Sequence, residues 1–170
     1  MNPEDIESLL QSIGQEISTP SRLVLIGGGA LALLGSPRPT IDLDFIGDDL
    51  APSKLHQEII RAAQGLNIHV EPVPLERFIP VLEGSTDRDI RIGRFGNLEV
   101  FVADPYSIAL SKLDRGFDTD LDDIVFLLRR KLIEMAELER ITRASLEHAR
   151  EFDLEPVQLL SHLQAVRRRL

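Results

Sequence analysis

Residues 23–45 read LVLIGGGALALLGSPRPTIDLDF. An apolar run, Leu23 to Ile26, stops at three glycines, Gly27, Gly28 and Gly29. A segment of small apolar residues follows, then Thr40-Ile41-Asp42-Leu43-Asp44-Phe45. The order is strand, tight turn, short helix, second strand. Residues two apart in a strand share a face. Asp42 and Asp44 are therefore expected to project together, while Ile41, Leu43 and Phe45 point into a core. Two carboxylates aimed alike suit a divalent cation. At ~5 Å and an effective dielectric of ~20 they repel by roughly 3 kcal/mol, a cost that a cation or the flanking Arg38 removes. The plainer reading is an acidic edge of an ordinary strand, with Arg38 as its partner.

Glycine turn, short helix and D-x-D strand together resemble the nucleotidyltransferase fold of the DNA polymerase beta superfamily. More closely, Gly28-Gly29-Ala30 followed by Arg38-Pro39-Thr40-Ile41-Asp42-Leu43-Asp44 is similar to the minimal nucleotidyltransferases of prokaryotic toxin–antitoxin and abortive-infection systems. A downstream run, Asp104-Pro105-Tyr106-Ser107-Ile108-Ala109-Leu110-Ser111-Lys112-Leu113-Asp114-Arg115-Gly116, then Asp120-Leu121-Asp122-Asp123-Ile124, resembles the second block of that group. The resemblance implies an α/β (α+β) fold: a mixed sheet flanked by helices, with a C-terminal helical part. It also implies an NTP substrate, Mg²⁺ or Mn²⁺ as cofactor, a tRNA end or a partner protein as acceptor, and a cognate toxin or antitoxin as partner. The wider superfamily has Gly-Ser where this chain has Gly28-Gly29, so a serine hydroxyl contact to phosphate is missing.

Composition narrows the function classes. The chain has 170 residues, enough for one core with a helical appendage. No apolar run reaches the ~18 residues of a membrane span. The start, MNPEDIESLL, is acidic and lacks the basic region of a signal peptide. There is no cysteine, so disulfides and thiolate metal sites are excluded. Both features point to the cytoplasm. A net charge of −9 disfavours diffuse binding to long DNA, which depends on neutralising phosphates. Two basic clusters, Arg88/Arg91/Arg94 and Arg167/Arg168/Arg169, are either local RNA contacts or solvated faces and helix ends.

Periodicity predicts helices over 3–17, 29–34, 52–64, 105–114, 120–131, 136–150 and 156–168. It predicts strands over 22–26, 41–46 and 68–73, and a hairpin over 89–102 turning at Gly96-Asn97. Asp104 and Pro105 read as N-cap and first helical residue, and Thr119 as the cap of the next helix. The chain divides into an α/β core, residues 1–104, and a helical part, residues 105–170, packed as one structural unit.

Several side chains are placed to carry chemistry. Gly28 and Gly29 could present backbone N–H groups to a triphosphate. Two-metal phosphoryl transfer needs a third carboxylate facing Asp42 and Asp44. Glu71 sits on the strand after the second long helix, sharing a face with His69. Glu99 is the alternative, and a site with no third acid is the remaining one. Lys112, with Arg115 beside it, is either a snorkelling side chain or the cation that meets the nucleotide phosphates. Asp120 and Asp123 share one helix face and either favour the helix start or hold Lys112 or a substrate. Arg38 and Thr40 complete the nucleotide-binding candidates. His56, His69, His148 and His162 lack ligand spacing. The expected chemistry is Mg²⁺-dependent transfer of a nucleoside monophosphate from an NTP to a hydroxyl, pyrophosphate leaving towards Lys112. The rivals are a nucleotide-binding module without turnover and an antitoxin-like protein that docks a partner through its helical end.

Overall fold

The computed structural model describes residues 1–170. It resolves into two compact units. One comprises Met1–Pro74 with Asp89–Ala103, and the other Leu75–Arg88 with Asp104–Leu170.

The first unit is built on a five-stranded mixed sheet in the order β3-β2-β1-β5-β4. The strands are β1 (Ser21–Ile26), β2 (Leu43–Ile46), β3 (Val70–Val73), β4 (Ile90–Phe95) and β5 (Leu98–Val102). β1 runs antiparallel to β2 and parallel to β5, and β2 runs parallel to β3. The pleat sends Leu23, Leu25, Leu43, Phe45, Val100 and Val102 to one face, all at most 1 % exposed. Each such side chain contributes about 1.5–3 kcal/mol on burial. Helices α1 (Pro3–Glu16), α2 (Gly27–Leu33) and α3 (Lys54–Gly65) complete this unit. Ile6, Leu10 and Ile13 of α1 recur at helical spacing and are fully buried. Asn2 and Asp5 form a reciprocal capping box at its start. Gly14 lies in the last turn because α1 abuts the β4–β5 hairpin. A Cβ there would stand 1.8 Å from the Phe95 carbonyl oxygen, and Asn97 N–H donates to the Gly14 carbonyl at 3.1 Å.

The second unit is helical. A 3₁₀ turn (Leu75–Arg77) and a single turn α4 (Ser85–Arg88), neither anticipated from periodicity, precede α5 (Pro105–Arg115), α6 (Asp118–Arg129), α7 (Met135–Ser145) and α8 (Pro156–Arg169). Asp104 caps α5 as expected: it accepts from Tyr106 N–H at 3.1 Å and from the Ser107 hydroxyl at 2.9 Å. No helix is long and apolar enough to cross a membrane.

Two local expectations need correction. Ile41 was assigned to the core but is 90 % exposed. Pairing with β3 starts only at Leu43, so the strand alternation does not reach back to Ile41. Thr119 does not cap α6. The helix begins at Asp118 with Phe117 as N-cap and no side-chain capping bond.

Candidate functional site

β1 ends at Ile26 and α2 begins at once, so the chain must reverse between adjacent residues. Gly27 makes this reversal at φ +78°, a left-handed conformation open to glycine. All three glycines are then pressed against residues 40–44, at and just before the start of β2. A Cβ at Gly27 would stand 2.6 Å from Asp44 Oδ2, one at Gly28 3.1 Å from Thr40 Oγ1, and one at Gly29 2.8 Å from Leu43 Cδ1. The last distance gives a physical reason for Gly-Gly in place of Gly-Ser: a serine at position 29 would collide with a core leucine.

Asp44 and Glu71 are direct register partners on the parallel strands β2 and β3. Adjacent strands lie about 4.8 Å apart, and register partners share a face. The two carboxylates therefore leave the sheet side by side, opposite the face that buries Leu43, Phe45 and Val70. Asp42 lies one residue before β2. The Thr40 hydroxyl is 3.0 Å from Asp42 O and 3.2 Å from Asp42 Oδ1, donating to one of them at a time. Thr40 is itself buried, and its carbonyl accepts from the Met1 amine. Arg38 is exposed, and its backbone N–H donates to Ser36 Oγ at 3.4 Å. His69 Nε2 is 3.6 Å from Glu71 Oε2, and the His69 carbonyl accepts from Leu43 N–H. Glu99 instead faces Arg94, at 3.5 Å, across the β4–β5 hairpin.

No group of three or more acidic or histidine side chains converges at metal-ligand spacing. This donor set still fits a hard cation. Mg²⁺ is usually held by one or two carboxylates, with water and substrate phosphate oxygens completing its shell, rather than by an all-protein cage. Asp44 and Glu71 supply such a pair.

The second sequence block forms a charged cluster inside the helical unit. Lys112 is only 4 % exposed. Its Nζ donates to Asp120 Oδ1 at 3.2 Å and to Asp123 Oδ2 at 2.7 Å, and Arg115 reaches Asp120 Oδ1 at 2.5 Å. Burial pushes the Asp120 carboxyl up, but the Arg115 hydrogen bond and the Lys112 and Arg115 charges outweigh it and hold it below the ordinary range. Asp120 Oδ2 is buried with no hydrogen-bond partner. Of the two readings open from sequence for Asp120 and Asp123, holding Lys112 is the one this geometry displays. Of the first basic cluster, Arg88 forks Asp104 at 2.9 and 2.7 Å. In the C-terminal cluster, Arg167 pairs with Glu139, and Arg169 with Asp118 and Asp122.

Residues 4–160 match the family described as "Nucleotidyltransferase of unknown function (DUF6036)". Comparison with curated proteins and with solved structures gives no match.

Proposed function

The chain belongs to this nucleotidyltransferase family of unknown function, and from that premise we propose that it transfers a nucleoside monophosphate from an NTP to a hydroxyl acceptor on an RNA end or a partner protein. The observation that carries this reading is the in-register pair Asp44–Glu71 beside a glycine turn in which Gly27 closes on the Asp44 carboxylate. Asp44 and Glu71 would hold Mg²⁺ or Mn²⁺. When bound, the ion supplies charge neutralisation at the reacting phosphate. Gly27 and Gly28 are half-buried and would offer their backbone to a phosphate, whereas Gly29 is buried. The first N–H groups of α2 have no partner within the helix. Thr40 restrains Asp42. The absence of cysteine and of an apolar span supports a role in the cytoplasm. The sequence resemblance supports membership of a toxin–antitoxin or phage-defence system.

A second reading has its own support. A serine at position 29 would have to displace Leu43 Cδ1, and no third ligand closes on Asp44 and Glu71. Both suit a module that binds nucleotide, or a partner, without turnover. Incubation with each α-labelled NTP, Mg²⁺ or Mn²⁺, total RNA and cell protein separates the two. Label on RNA or protein, lost in Asp44→Asn, supports transfer. Cation-dependent NTP binding with no labelled acceptor supports a nucleotide-binding module, and absence of NTP binding rejects both transfer and nucleotide binding.

A further inference from the structure

We propose that the groove between α7 and α8 docks an acidic amphipathic segment of a partner protein. The groove has a volume of about 360 Å³ and is lined by Glu139, Arg143, Leu160, Leu163, Arg167 and Arg168 among others. That volume sits at the lower end of the ~300–1,000 Å³ typical of ligand clefts, room for a few side chains. Its two leucines differ in exposure: Leu163 is buried, while Leu160 is half-buried and within reach of an incoming apolar group. One turn before Leu160, Val157 is 77 % exposed on the same strip of α8. The strip is thus apolar towards the start of α8 and basic towards its end.

Charge selects the occupant. Glu139 is shared by two guanidiniums: Oε1 accepts from Arg143 at 3.3 and 3.0 Å, and Oε2 accepts from Arg167 at 2.5 Å. Arg168 is exposed and takes part in none of the chain's ion pairs. Three arginines thus face one glutamate, although the chain carries −9 overall. Each guanidinium has five donors in a planar fork that matches a carboxylate bidentately, and most of these donors are unspent. Carboxylates flanking a leucine-sized side chain fit both the rim and the apolar wall. A nucleic acid fits less well. No aromatic side chain lines the groove to stack a base.

The test uses the full-length protein and a fluorescein-labelled peptide of about twelve residues, leucines at helical spacing and glutamates between them. Fluorescence anisotropy at low salt should show saturable binding. Arg168→Glu should weaken it about tenfold, since a reversed charge at a rim contact removes an attraction and adds a repulsion. Arg168 pairs with nothing in the fold, so the melting temperature should stay put. Arg91→Glu, the same charge change on β4 in the other unit, should leave peptide affinity unchanged. No binding of the peptide by the wild type overturns the proposal. So does equal weakening by Arg91→Glu and Arg168→Glu, which would indicate diffuse attraction. Displacement of the peptide by a lower concentration of oligouridylate RNA would assign the groove to phosphates instead.

Discussion

Asp44 on β2 stands directly opposite Glu71 on β3, one strand spacing away in a parallel ladder. Like charges so placed destabilise a sheet, by roughly 0.2–1 kcal/mol on the usual scale of cross-strand pairs. A cation shared between them would remove that cost. Asp44→Asn and Glu71→Gln should each keep or slightly raise the melting temperature without divalent cation. Mg²⁺ with NTP should raise the wild-type melting temperature and leave both variants unmoved. Identical Mg²⁺ shifts in wild type and variants, followed by differential scanning fluorimetry, would remove these carboxylates from the site.

The glycine turn predicts two different failures. In Gly27→Ala the backbone keeps a left-handed φ, which costs an L-residue about 1–2 kcal/mol, and the new methyl meets Asp44 Oδ2. Cation-dependent nucleotide affinity should fall together with stability. In Gly29→Ser the side chain meets Leu43 Cδ1, an overpacking that costs about 1–3 kcal/mol. Restoring the superfamily's Gly-Ser should therefore destabilise this chain rather than improve it. Urea titrations of the two variants, read beside nucleotide titrations, check both statements.

Lys112→Met should be among the most damaging single changes in the helical unit. It takes from two buried carboxylates, Asp120 and Asp123, the cation they share, with Arg115 still on Asp120, and breaking a buried pair from one side costs up to about 3–5 kcal/mol. Replacing all three charges, with Asp120→Asn and Asp123→Asn added, should recover part of that loss. The folded Asp120 carboxyl is held below its unfolded value near 3.8. Its contribution to stability is thus fully present above that value and disappears as pH falls through the folded value. Acid unfolding of the wild type, compared with the triple variant, reads this directly.

His56 gives the opposite end of the pH scale. Its ring tilts against Phe45 with centroids 4.7 Å apart, and Nδ1 is buried without a partner. Burial lowers its pKa from 6.5. The unfolded chain then takes up the proton more readily than the folded one, so stability from this site is present above about pH 6.5 and declines as pH falls towards the folded value. His56→Leu should flatten the melting-temperature profile between about pH 5 and 7. A profile as steep as the wild type's would assign the slope to other groups.

Much of the local structure was legible because it depends on neighbours in sequence. Apolar spacing placed α1, β1, α3 and the β4–β5 hairpin near their observed bounds, and Asp104-Pro105 announced the start of α5. Asp44 and Glu71 each alternate with core residues, which located them on one face of their own strands. Ile41 broke the same rule, since alternation holds only while a partner strand keeps the pleat, and that pairing begins at Leu43. The register shift between Arg91 and Gly93 was likewise invisible to a period of two.

Relations between elements had no signal in the order of residues. Nothing in Asp44 or Glu71 says that β2 and β3 are parallel neighbours in that register; the crossover through α3 and the packing of Phe45 and Val70 set it. Lys112, Asp120 and Asp123 were singled out by type and spacing, but the choice between a solvent-facing cation and a buried one depended on how closely α5 and α6 pack. Gly29 looked like a departure from a motif until Leu43 was found against its α-carbon. Short-range physics, period and capping, is written along the chain. Steric exclusion and charge pairing act through space, so they exist only once distant segments have been brought together.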